Sequence, residues 1–283
     1  MAEAREIDAA EITRVVRDLC IEINYKVPEE MVRLVRRARE LEESPLGRQV
    51  LDLLIRNQEL AAEGEYPYCQ DTGYTVIFLD LGQDVHVTGA DLYDAVNEGV
   101  RQGTATGTCA VRSFATRCST VGTPATTRPR SSTRGSSPAT RSASRSTPRG
   151  RLGEHGQARD AQARRRARGR QGVRPAGRGR VRPERLPPGI IGVGIGGNFE
   201  MSAVIAKRAL MRKVGQPSSD PQIAELEAEL YEKCNALGLG PEALGGTQTV
   251  LAVHVETMPT HIASLPVAVN IECHAHRTGS RVI

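Results

Sequence analysis

Hydrophobic positions near the start of the chain recur at helical spacing. Ile12, Val15, Val16, Leu19 and Ile23 share one face behind Asp8, a residue type that caps helices. Met31, Leu34, Val35, Ala38 and Leu41 repeat the pattern after Pro28, where a first helical turn tolerates proline. A third helix is predicted from about Pro45 to Ala62, stopped by Gly64. The turn-rich stretch EYPYCQDTG then leads into YTVIFLDLG, a continuous apolar run that predicts a strand, and another helix is expected from Asp91.

At about Gly107 the pattern stops. Residues 109–185 contain no Lys, Ile, Met, Tyr or Asn and only one Leu, in runs such as RPRSSTRGSSPATRSASRSTPRGR. Such a stretch buries too little apolar surface to offset its chain entropy, so it is predicted disordered. Periodicity returns at LPPGIIGVGIGGNFE, read as a strand over Gly189–Val193, a glycine turn and a helix near Phe199–Arg212. A second helix is expected over about Pro221–Leu237, followed by the strands TVLAVHVET and LPVAVNIEC. The alternation predicts an α/β fold: N-terminal helices, then a mixed sheet with surrounding helices. One domain is expected over residues 1–283, interrupted at about 107–186.

Composition sharpens the break. The whole chain carries a net charge of +5, but residues 109–185 hold 20 Arg against three acids. That surplus of 17 leaves −12 for the remainder, the balance of an ordinary acidic enzyme. No apolar run approaches the roughly 20 residues of a membrane span. The N-terminus lacks an apolar leader, and six irregularly spaced cysteines do not read as a disulfide framework. A reducing cytoplasm is therefore the expected setting, with thiols available as ligands.

Two segments could carry chemistry. Cys69-Gln70-Asp71-Thr72-Gly73 places a thiol, an amide, a carboxylate and a hydroxyl on one loop before a strand. Cys273 ends an apolar strand and is followed by His274 and His276. Neither is decisive alone, because a loop cysteine beside a turn and a Cys-His pair both occur without function. No C-x-x-C is present, so a zinc ribbon and a ferredoxin-type run are excluded. Cys20 and Cys234 lie on apolar helix faces and read as core thiols. His254 is expected to be packed within its strand, whereas His261, between the two late strands, is the better functional candidate. Gly192, Gly194 and Gly197 fit G-x-G-x-x-G, but no acidic residue ends a matching second strand. Close strand–helix packing is the simpler expectation.

Taken together, Cys69-Gln-Asp-Thr-Gly, LGQDVHVTGADLYDAVNEGVRQG, PPGIIGVGIGGNFE and LGLGPEALGGTQTVLAVHVETMPTHIASLPVAVNIECHA resemble the alpha part of class I iron–sulfur fumarases and tartrate dehydratases. The matching pieces cover residues 1–106 and 187–283. The resemblance implies a hydro-lyase that dehydrates a small 2-hydroxy dicarboxylate, malate to fumarate first among them, on a [4Fe–4S] cluster held by three dispersed cysteines. It implies Cys69 and Cys273 as two ligands. It also implies Asp71 as the group exchanging a proton at the hydroxyl, with Gln70 and His261 on substrate carboxylates and Thr72 beside them. A separate beta-type subunit is expected to supply the carbon base, since the chain ends soon after Cys273. The third cysteine belongs in an Asn-Ala-Cys-Pro-Pro segment, and here that slot reads Glu184-Arg185-Leu186-Pro187-Pro188, with Leu186 in the ligand position.

The genetic code offers a reason. With suitable codons, Pro183–Pro187 read in a shifted frame spells Pro-Asn-Ala-Cys. In the same way Leu152–Ala163 spells the family's Ser-Glu-Asn-Met region, and Val121–Arg130 hides Asn-Thr-Gly-Asp-Asn-Thr-Pro-Ala. Three such hits in family order point to a frame disturbance beginning near Gly103–Thr108 and corrected near Leu186–Pro187. The copy as written is therefore expected to be inactive. Two readings compete. Twenty arginines could contact nucleic-acid phosphates, but no aromatic residue beyond Phe114 is interleaved for stacking, so nucleic acid is not the favoured partner. The glycine motif could hold a dinucleotide.

Overall fold

A computed structural model describes residues 5–64, 66–69, 74–106, 132–137, 143–149, 157–160 and 187–283. The chain divides into two compact units. The first comprises Met1–Pro28, Arg56–Arg151 and Arg277–Ile283, and the second Glu29–Ile55 and Leu152–His276. Helices and mixed sheets make this an α/β fold.

The first unit opens on a strand, β1 (Arg5–Asp8), which runs into helix α1 (Ala9–Tyr25). The Asp8 carboxylate accepts the Ala10 N–H at 2.8 Å, the cap expected from sequence. Strands β2 (Tyr74–Gly82) and β3 (Val85–Thr88) follow, then helix α4 (Leu92–Thr106), capped by Asp91. β1 pairs with β3 in parallel. Ile12, Val16 and Cys20 of α1 pack with Ile77 and Leu81 of β2 and with Ala95, Val96 and Val100 of α4. This stripe of small and branched side chains is the core of the unit. β2 also lies between β4 (Ser132–Ser137) and β5 (Ala143–Arg149), and β5 pairs outward with β10 (Gly279–Val282).

In the second unit, helix α2 (Glu29–Leu41) and the start of helix α3 (Pro45–Ala62) precede a four-stranded sheet. Its order is β6 (Gln157–Asp160), β9 (Pro266–Glu272), β7 (Gly189–Gly197), β8 (Val250–Thr260). β7 pairs with β8 in parallel and with β9 antiparallel. Helix α5 (Phe199–Ala209) follows β7 and helix α6 (Pro221–Asn235) precedes β8. Ile223, Leu226, Leu230 and Cys234 of α6 pack on Val193, Val253 and Val255 of the sheet. The carboxylate of Glu227, on the same helix, accepts the Val255 N–H at 2.8 Å and meets Arg212 Nη1 at 2.5 Å.

Several expectations are corrected. The segment 189–197 is one strand running through its glycines, not a short strand ended by a glycine turn. Alternation explains it: Gly192 and Gly194 face α5, while Val193 and Ile195 face α6. A Cβ on Gly192 would stand 2.3 Å from the Ala206 carbonyl oxygen, and one on Gly194 would stand 2.2 Å from that of Ser202. The glycines thus let helix backbone press onto strand backbone, which is the packing role preferred over dinucleotide binding. β1, β3 and β10 were not foreseen, because four-residue strands carry too little pattern. β4, β5 and β6 lie in the stretch predicted to lack order. They form by main-chain pairing, which needs no hydrophobic period. The rest of 109–185 lies outside the described residues.

Candidate functional site

Cys69 belongs to the first unit. The residue before it, Tyr68, is buried and held from three directions. Its N–H donates to the Asn24 carbonyl at 2.7 Å, and its carbonyl accepts from Asn57 Nδ2 at 2.9 Å. Its hydroxyl meets Gln58 Nε2 at 3.4 Å. Asn24 in turn accepts from Arg277 Nη1 at 2.6 Å. The half-buried thiol of Cys69 is therefore carried on a loop pinned to α1 and α3. Gln70, Asp71 and Thr72 lie outside the described residues, as does Leu186.

Cys273 belongs to the second unit, immediately after β9, and is half-buried. Around it the chain brings together residues far apart in sequence. His274 Nε2 lies 3.3 Å from a carboxylate oxygen of Glu242. The N–H of Glu242 donates to the carbonyl of Pro187 at 2.9 Å, next to the cis Pro187–Pro188 bond. So Pro187, which directly follows position 186, is tied through Glu242 to the residue that follows Cys273. Behind them, His276 Nδ1 sits 2.6 Å from Glu272, both fully buried.

His261 is exposed in the turn between β8 and β9, where its Nδ1 accepts the Ala263 N–H at 3.1 Å. In the neutral ring the proton is then on Nε2, a donor suited to a carboxylate. Thr260 Oγ1 fixes this turn by donating to the Gly197 carbonyl at 2.8 Å.

The remaining candidates are structural. His254 is buried, accepts the Gly215 N–H at 3.3 Å, and is pushed down to about 4 by burial and then by the Arg212 guanidinium. Burial pushes the Cys20 thiol up to about 12, slightly opposed by a hydrogen bond from Thr75, and raises that of Cys234. Cys20 packs within the core of the first unit and Cys234 against the apolar face of the sheet in the second, as expected of core thiols. Glu42 was missed by sequence reasoning. Its buried carboxylate accepts the N–H groups of Ser44, Thr247 and Gln248 at 2.8–3.0 Å and anchors the glycine-rich loop before β8. Burial works to raise its pKa, but those hydrogen bonds, with one from Glu43, outweigh burial and lower it. A Glu at a helix end gives no local sign of a partner some 205 residues away. Among the described residues, no three His, Cys, Asp or Glu side chains are grouped to hold a metal ion. No described helix is long and apolar enough to cross a membrane.

The sequence matches the family profile described as Fumarate hydratase (Fumerase) over residues 13–140 and 180–282. The chain belongs to that family. Between the two matched segments the match lapses over residues 141–179, within the Arg-rich stretch. A Methanocaldococcus jannaschii protein provisionally named L(+)-tartrate dehydratase subunit alpha is 31% identical over 282 residues, covering 94% of this chain and 95% of the relative. The L(+)-tartrate dehydratase subunit alpha of Escherichia coli K12 is 40% identical over 97 residues, which is 34% of this chain and 32% of that protein. The family likeness thus places the chain among hydro-lyases of the fumarate hydratase and tartrate dehydratase kind.

Proposed function

We propose that this chain is the alpha-type subunit of a hydro-lyase for a small 2-hydroxy dicarboxylate, in a copy that has lost its activity. The observation that carries the second half is Leu186. It directly precedes Pro187, whose carbonyl is bonded to Glu242, which in turn reaches the residue after Cys273. Family resemblance puts the third cluster cysteine at that position, and a leucine side chain has no donor atom for iron.

The residues present do not fit a [4Fe–4S] cluster of the family kind. Cys69 and Cys273 offer two thiolates, the third position is Leu186, and no described trio of donors replaces it. No step of a reaction is therefore routed through iron in this chain. What survives is the substrate-facing equipment: His261 as a donor to a carboxylate, Gln70 and Thr72 as hydrogen-bonding groups, and Asp71 as the proton-exchanging carboxylate. The domain spans residues 1–283 with the Arg-rich interruption, and its setting is the cytoplasm. Because the relatives are named alpha subunits, a beta-type subunit is the proposed partner.

Malate–fumarate is the first choice of substrate pair, and the relatives' names favour L-tartrate as the second. The test is anaerobic reconstitution of the full chain with iron, sulfide and a beta-type partner. The expected outcome is no cluster absorbance and no turnover of malate or tartrate. Cluster formation with turnover would overturn the loss of activity, and the substrate turned over would choose between the pairs. Resequencing the DNA tests the cause: codons that rule out the shifted reading would remove the frame explanation.

A further inference from the structure

The loop before β8 contains two non-glycine residues in the left-handed region, Glu242 (φ 51°, ψ 22°) and Ala243 (φ 58°). L-residues other than Asn, Asp and Gly seldom adopt this conformation, and such residues persist only where their surroundings hold them. Here hydrogen bonds hold them. Glu242 N–H donates to Pro187, Ala243 N–H to Gly240 at 3.1 Å, Leu244 N–H to Pro241 at 3.1 Å and Gly245 N–H to Leu239 at 2.8 Å. The outcome of this backbone is directional: it sets a Glu242 carboxylate oxygen 3.3 Å from His274 Nε2, on a largely buried imidazole beside Cys273. Two adjacent sterically unfavourable residues are not needed to connect α6 to β8, since the same loop already contains Gly238, Gly240, Gly245 and Gly246. The side chain at position 242 is the feature a glycine could not supply.

We infer that Glu242 is a positioning residue: its left-handed backbone aims the carboxylate at His274 and so fixes the end of β9 that carries Cys273. The inference rests on the reading of Cys273 as a site residue. Its test needs no metal, so it fails or stands separately from cluster assembly.

The experiment is pulsed alkylation of the full chain with iodoacetamide at one pH, each cysteine followed by peptide mass spectrometry, alongside thermal unfolding. Glu242→Gly removes the carboxylate and relieves the backbone, while Glu242→Gln keeps the length and hydrogen-bonding capacity. The expected result for Glu242→Gly is a Tm held or raised by about 2 °C. Alkylation of Cys273 should accelerate about threefold or more through local opening, with Cys20 and Cys234 unchanged. Glu242→Gln should restore the slow rate at Cys273. An unchanged Cys273 rate in Glu242→Gly would overturn the inference. So would an equal acceleration at Cys20 and Cys234, which would mean that Glu242 merely stabilises the whole unit.

Discussion

The buried carboxylate of Glu42 shows how much a single side chain can hold. It satisfies backbone N–H groups at Ser44, Thr247 and Gln248, and a hydrogen bond to an ionised acceptor contributes about 1.5–3 kcal/mol. Glu42→Ala leaves those donors without an acceptor and is expected to destabilise the chain by at least about 3 kcal/mol in urea unfolding. Acid should act in the same direction. The pKa of Glu42 is lowered on folding, so its stabilisation is full above about 4.5 and lost as pH falls below that value. His254 adds a second window. Its pKa falls from 6.5 to about 4 on folding, so the unfolded chain binds the extra proton between those values. Stability should therefore drop as pH falls from 6.5 towards 4, and His254→Gln should flatten that part of a pH–stability profile. The Cys20 thiol, raised to about 12, should resist alkylation at pH 8 until the chain unfolds.

At the scale of elements, close approach of backbone to backbone governs the second unit. Gly192→Ala and Gly194→Ala each force a methyl group against a carbonyl oxygen of α5, with no flexible side chain to give way. Each is expected to cost about 3 kcal/mol, read from denaturant midpoints, while Val193→Ala on the opposite face removes buried apolar area and leaves a cavity instead of a clash. The helices were legible because their stripes span three or more turns: Ile12, Val16, Leu19 and Ile23 of α1 are all buried where the spacing put them. β1 and β3 escaped notice, since four residues make no period and their pairing joins segments about 80 residues apart. The glycine motif of β7 was recognisable as a packing device, but its residence within a strand was not. Only the position of α5 shows which glycines need to lack a side chain.

The whole molecule carries a charge imbalance with a testable consequence. If the Arg-rich stretch is a translation product of the wrong frame, it was not shaped to read nucleic acid. Any binding should then be weak, non-specific and steeply salt-dependent, with gel shifts vanishing between about 50 and 200 mM salt. Tight binding that keeps a sequence preference at the higher salt would favour the nucleic-acid reading instead. The family was legible from sequence because its motifs are contiguous: Cys69-Gln-Asp-Thr-Gly and the run ending at Cys273 can each be read without a fold. Linear order also exposed the break, since composition, hydrophobic period and the leucine at position 186, where the family resemblance implies a cysteine, are properties of neighbours along the chain. Tertiary structure decided which polar residues are buried framework and which stand exposed. It buried His254 and Glu42, exposed His261, and brought Pro187, Glu242 and His274 together across more than 80 residues of sequence. The physical reason is range: periodicity and motifs are written in local covalent order, whereas a hydrogen bond between distant segments exists only once packing has brought its two ends together.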